Sequence, residues 1–121
     1  MTEADLDKIE ELTDWGKIYY FNSDRCHFCI YIYDDDKTTF YLSNVHVNVE
    51  ERGKGLGNEI LNAACIISSS MGANRILLKC AVDSFVHNWY YRHGFKDLVQ
   101  EKEYIWMAKE FNTDNSKLPT N

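Results

Sequence analysis

Three glycines at alternate positions, Gly53, Gly55 and Gly57, lie between a run of strand-like segments and a stretch of helical periodicity. A glycine-rich turn that opens a helix gathers several unpaired backbone N–H groups around one small volume, where the helix dipole adds partial positive charge. Such a concavity holds phosphate without a basic side chain. An ordinary strand-to-helix turn would need one glycine rather than three. A Walker loop does not fit, because Gly53-Lys54 is followed by Gly55 instead of Ser or Thr. A dinucleotide fingerprint does not fit either, since it needs an opening parallel β-α-β unit.

Upstream of the glycines, residues 17–22, 26–33 and 38–47 are rich in aromatic and β-branched residues. Asn22-Ser23-Asp24 and Asp34-Asp35-Asp36 separate them with turn chemistry, and links this short imply antiparallel hairpins. Before them, Leu6, Ile9 and Leu12 recur at helical spacing and predict a short amphipathic helix over 4–13. After them, Leu56, Ile60, Leu61, Ala64, Cys65, Ser68 and Met71 predict the buried stripe of a helix over 56–71 that Gly72 terminates. A strand over 75–82 follows, then a second helix capped by Asp83 or Ser84 and ended by Gly94. Segments 95–100 and 104–111 form a closing hairpin across Glu101-Lys102-Glu103. The pattern predicts one α/β (α+β) domain over 1–111: a mixed, mostly antiparallel sheet flanked by helices, with a polar, mobile tail over 112–121.

The chain of 121 residues is 45% hydrophobic and 14% aromatic, enough for a packed core. No apolar run reaches membrane-spanning length and the first residues lack a signal-peptide pattern, so a cytoplasmic location is expected. A formal charge of −6 disfavours nucleic acid and anionic membranes and leans towards cationic partners such as amines, although solubility alone explains an acidic surface. Cys26 and Cys29 have CxxC spacing. On a strand, however, residues three apart point to opposite faces, which suits buried thiols and not a metal site.

Two patterns, in this order, resemble the GNAT superfamily of N-acetyltransferases. Arg52, Gly55 and Gly57 match its Gln/Arg-x-x-Gly-x-Gly/Ala pattern, and Tyr90, Gly94 and Phe95 match its Tyr-x-x-x-Gly-Phe pattern. Tyr104-Ile105-Trp106-Met107-Ala108-Lys109 looks like the family's last strand, so the resemblance covers roughly residues 41–109. It implies acetyl-CoA as co-substrate, an amine acceptor (a small molecule, a protein lysine or an N-terminus) and no metal. It further implies that the backbone of Arg52, Gly53, Lys54, Gly55, Leu56 and Gly57, with Asn58, cradles the pyrophosphate. The backbone near Val45 and Val47 would align the pantetheine arm and polarise the thioester carbonyl, and Tyr90 would protonate the departing thiolate.

The family's base positions on the strand over 38–47 match Tyr41 and Ser43, neither of which is an ordinary base at neutral pH. A water chain held by these two, His27 or Glu50 are the alternatives. Strict alternation puts Tyr41, Ser43, Val45 and Val47 on one face and Phe40, Leu42, Asn44 and His46 on the other, which turns His46 away. Asp83 stands where many relatives carry asparagine. The stretch before the first strands is also short for the family, which implies an open acceptor side that takes a large acceptor or is covered by a second copy. The rival expectation, from the missing base, is a CoA-binding regulatory or assembly module without catalysis.

Overall fold

Two-to-three-residue turns decide the first half of the sheet. The computed structural model describes residues 1–111, and the predicted tail over 112–121 lies outside the described residues. The elements run β1 (Asp7–Leu12), β2 (Gly16–Asn22), β3 (Cys26–Tyr33), β4 (Asp36–Val47), α1 (Leu56–Ser70), β5 (Arg75–Ala81), α2 (Phe85–Arg92), β6 (Lys96–Glu101) and β7 (Tyr104–Glu110). The sheet order is β1-β2-β3-β4-β5-β7-β6. Every neighbouring pair is antiparallel except β4 and β5, which α1 joins as a parallel crossover.

The N-terminal segment departs from the helix predicted over 4–13. Glu3–Asp5 form one 3-10 turn, and Asp7–Leu12 pair along their whole length with β2. Leu6 enters the core, but Ile9 and Leu12 are exposed. An edge strand gains hydrogen bonds from its single neighbour even where its side chains gain no burial. An isolated ten-residue helix, by contrast, is marginal in water. Tertiary pairing therefore outweighs the three-four spacing of these apolar residues.

The remaining elements lie within a few residues of the pattern reading. α1 packs on one face of the sheet, where Leu56, Ile60, Ala63, Ala64 and Ile67 meet Phe28, Ile30, Phe40, Ile76 and Met107. Ala63 and Ile67 sit deeper than Cys65 and Met71, so the stripe is centred slightly off the predicted one. Fully burying each large side chain of this cluster contributes about 1.5–3 kcal/mol. The other face carries no helix among the described residues. There an aromatic row runs from Trp15, stacked on Tyr31 and tilted against Tyr33, through Tyr41 to Trp106.

Cys26 and Cys29 follow the alternation of β3, Cys26 inside the core and Cys29 on the opposite face beside Tyr20 and Asn44. Among the described residues no group of three or more His, Cys, Asp or Glu is placed to hold a metal ion, and no helix is long and apolar enough to cross a membrane.

The strand assignment for 7–12 has a direct consequence. Leu6→Ala should lower unfolding stability by about 2–3 kcal/mol in urea titration, whereas Ile9→Ala and Leu12→Ala should each change it by less than about 0.5 kcal/mol. Equal losses at all three positions would restore the helix.

Candidate active site

β4 and β5 pair only at Thr39↔Arg75, Phe40↔Ile76 and Tyr41↔Leu77, and beyond Tyr41 the strands part. The cause lies in β4 itself. Cys29 stands opposite Ser43 and His27 opposite His46, so the single residue Phe28 faces both Asn44 and Val45. This is a β-bulge, and Asn44 carries its left-handed turn at φ 55. Asparagine tolerates that conformation better than most residues, and Asn44 Nδ2 donates to Cys29 Sγ at 3.7 Å.

The extra residue reverses the facing of everything after it. Val47 stands opposite Cys26 and packs against the core instead of sharing a face with Tyr41 and Ser43. His46 stands opposite His27, with ring centroids 5.0 Å apart, on the same face as Tyr41 and Ser43. Alternation therefore misplaces both residues, because it cannot see the bulge.

The Asn48 N–H donates to the Arg25 carbonyl at 2.9 Å, on the β3 side. Residues 46 and 48 thus turn their backbone groups towards β3, while Val45 and Val47 turn theirs into the parting. Arg52 Nε donates to the Val47 carbonyl at 3.0 Å, tying the glycine loop to the strand it leaves.

The loop forms a cleft of about 660 Å³, walled by Val45–Val47, by Glu51–Gly53, by Gly55–Asn58 and by Phe85, Val86 and Trp89 of α2. Gly53 and Gly55 have φ of 80° and 79°, which L side chains rarely adopt. Gly57 lies under Trp89, whose ring a β-carbon there would meet at 3.6 Å. Gly55 caps α1 with no side-chain hydrogen bond, so the first-turn N–H groups of Leu56, Gly57 and Asn58 face the cleft without helical partners. Glu51 is held by Arg25 at 3.2 Å, which offsets its charge near those donors. Of the residues assigned to this loop by sequence, Lys54 alone is absent from the cleft wall.

α2 is fixed at two points. Asp97 on β6 accepts from Tyr91 Oη and, at 2.9 Å, from His87 Nε2. The Tyr91 hydrogen bond, then that of His87, holds the Asp97 carboxyl below the usual range. His87 Nδ1 accepts the Asp83 N–H at 2.9 Å, which puts the ring proton on Nε2. On the α1 side, Asn58 Oδ1 accepts from Trp89 Nε1 at 2.9 Å and from His93 Nε2 at 3.0 Å. Burial, followed by the charges of Lys109 and Arg92, lowers the His93 pKa, which favours the neutral ring. Ser84 is the helix cap; Asp83 lies in the preceding turn and lines neither cavity.

Held in this way, α2 directs Tyr90 into the parting of the strands. Its ring packs on Phe95 at 5.6 Å and Trp89 at 5.1 Å. Burial, with a smaller contribution from Cys80, raises its pKa above the ordinary tyrosine value. Tyr90 also lines a second hollow, of about 510 Å³, that opens on the helix-free face. Tyr31, Tyr33, Tyr41, Ser43, Lys79 and Trp106 are among its other walls. Tyr90, Tyr41 and Ser43 thus come together, with Val45 shared between hollow and cleft. Glu50 and His27 line neither.

The sequence reading missed Phe85, Val86 and Trp89 as cleft walls and Lys79 and Trp106 as hollow walls. The spacing of Phe85 and Trp89, one helical turn apart beside Tyr90, is the signal that could have found the first group.

A family model described as "Acetyltransferase (GNAT) family" matches residues 14–95. The fold is similar to the PaiA N-acetyltransferase of Thermoplasma acidophilum, solved with coenzyme A, with TM-score 0.64, 19% identity, and 78% of this chain and 60% of that one covered. It is likewise similar to a GNAT family acetyltransferase of Elizabethkingia anophelis solved with acetyl-CoA, with TM-score 0.62, 14% identity, and 79% and 76% covered. An acetyltransferase of Bacillus subtilis in complex with CoA gives TM-score 0.61, 15% identity, and 81% and 78% covered. A search of curated proteins returns no match. The glycine loop, the parted strands and Tyr90 all lie within the matched span, and the chain belongs to the GNAT family of acetyltransferases.

Proposed function

We propose that this chain moves an acetyl group from acetyl-CoA to a primary amine. One observation carries the reading: the parting of β4 and β5 lies between a cleft edged by free helix-start amides and a hollow into which Tyr90 projects. The amides of the loop would hold the pyrophosphate, and the backbone groups that Val45 and Val47 turn into the parting would align the pantetheine arm. The thioester would then lie where cleft and hollow meet. An amine attacks its carbonyl, the tetrahedral adduct collapses, and the thiolate departs with a proton from Tyr90. Tyr41 and Ser43 line the acceptor side. His46, returned to that face by the bulge, lines the cleft next to Val45 and would accept the proton of the incoming ammonium through water.

The competing reading, CoA binding without transfer, draws on the hollow's having no carboxylate among its walls. Following thiol release from acetyl-CoA over a panel of amines separates the two. Tight CoA binding without release from any amine would favour the binding module.

Three outcomes test the roles. Gly53→Ala combined with Gly55→Ala should raise the CoA Kd at least about tenfold by calorimetry, ~1.4 kcal/mol, with the far-UV spectrum retained. Tyr90→Phe should lower kcat by about 10- to 1,000-fold. Because its pKa is raised, the donating phenol stays protonated past its ordinary ~10, so wild-type kcat should show no fall below about pH 10. A fall near pH 8 would remove Tyr90 as the acid. His46→Ala should lower kcat/KM about 10- to 100-fold at pH 7 and progressively less towards pH 10, where the amine is already neutral. A loss independent of pH would make His46 structural.

A further inference from the structure

The acceptor hollow carries a local charge opposite in sign to that of the chain. Its walls include four tyrosines and a tryptophan but no aspartate or glutamate, and Lys79 supplies the one formal charge. The register explains why Lys79 is there. It stands opposite Trp106 across β5 and β7, on the helix-free face, with its ammonium 5.3 Å from the Trp106 ring and 5.5 Å from that of Tyr104. Among the described residues it makes no ion pair with a carboxylate. An aromatic-walled hollow would usually suit a cationic ligand. Here the Trp106 ring already has its cation, and a second ammonium alongside would be repelled. Glu101 accepts from Trp106 Nε1 at 3.2 Å without lining the hollow; carboxylates farther off act through water and salt and are screened beyond about 10 Å.

Resting on the acetyl-transfer reading, we propose that the hollow selects an amine that also bears an anionic group, carboxylate or phosphate, held by Lys79 while the aromatic walls take the apolar body. The reacting amine then points towards Ser43 and Tyr90, away from Lys79. A lysine suits this role as a mobile point charge with three donors, resting on the rings until an anion engages it.

The test compares acceptors that differ only in the anion. 4-(Aminomethyl)benzoate is set against 4-(aminomethyl)benzamide, and 2-aminoethyl phosphate against ethanolamine, with thiol release giving kcat/KM for each. The benzoate should exceed its amide at least tenfold if the anion is a carboxylate. The same margin in the second pair alone would identify a phosphate. Lys79→Gln should bring the favoured ratio close to one through KM, and Lys79→Arg should restore most of it. Binding is read independently from tryptophan fluorescence with 4-methylbenzoate and with phenyl phosphate, neither of which can react. The wild type should saturate with one of them, and Lys79→Gln should weaken that binding at least tenfold. Neutral amides and alcohols used as well as their anionic partners, or anion binding unmoved in Lys79→Gln, would overturn the proposal. Binding of the inert anions without thiol release from any amine would leave Lys79 in its role and overturn acetyl transfer instead.

Discussion

One surplus residue in β4 sets the geometry on which the rest depends. A parallel pair with regular register would hydrogen-bond along its whole overlap and leave no space between β4 and β5. Opposing Phe28 with both Asn44 and Val45 bends β4 away after Tyr41 and frees the backbone groups of Val45 and Val47. Unpaired strand groups are costly unless something else satisfies them. Here Arg52 takes the Val47 carbonyl, and the rest faces a cleft wide enough for an extended ligand. The bulge also decides side-chain chemistry, since it gives Val47 to the core and His46 to the working face.

Under the proposed function, the site would grip through backbone and discriminate through side chains. Gly53 and Gly55 bring amides to one point through conformations that other residues resist, whereas a β-carbon at Gly57 would make only ordinary contact with Trp89, at 3.6 Å. None of this depends on a titrating group, so the grip should hold across a wide pH range. α2 is different, since its position rests on His87, Tyr91 and Asp97 at one end and on Trp89, His93 and Asn58 at the other. Both clusters use a neutral imidazole as donor, and Tyr90 lies between them. The placement of the Tyr90 hydroxyl is thereby coupled to two networks that it does not join.

The order of elements, the glycine loop and Tyr90 were legible because each leaves a local signature: turn residues at short spacing, glycines at a helix start, a stripe of period 3.6. Two features were not. The segment with Leu6, Ile9 and Leu12 has helical spacing, yet the free edge of β2 offers it six residues of pairing, an interaction invisible in the segment itself. The faces beyond Asn44 were misread because a bulge depends on the partner strand's register, and no residue type announces it. Lys79 and Trp106 likewise become neighbours only through the pairing of β5 with β7. What escaped the sequence is in each case a strand-to-strand relation.

Net charge and the charge of a pocket are different quantities. A sum over 121 residues says how a protein behaves at a distance of many ångströms, where its field steers or repels. Selection happens at contact, where the sign of the nearest unscreened group decides. Most acidic residues of this chain lie in its turns, its outer edge strand and the first 3-10 turn, and among the described residues no carboxylate lines the hollow, although Glu101 accepts a hydrogen bond from Trp106 at its wall. Within the hollow, alternation along β5 and β7 leaves an ammonium lying on aromatic rings. A chain of acidic composition can therefore present a cationic pocket, provided that its carboxylates lie on other surfaces and that one lysine is raised by the sheet's own pleat into the space between.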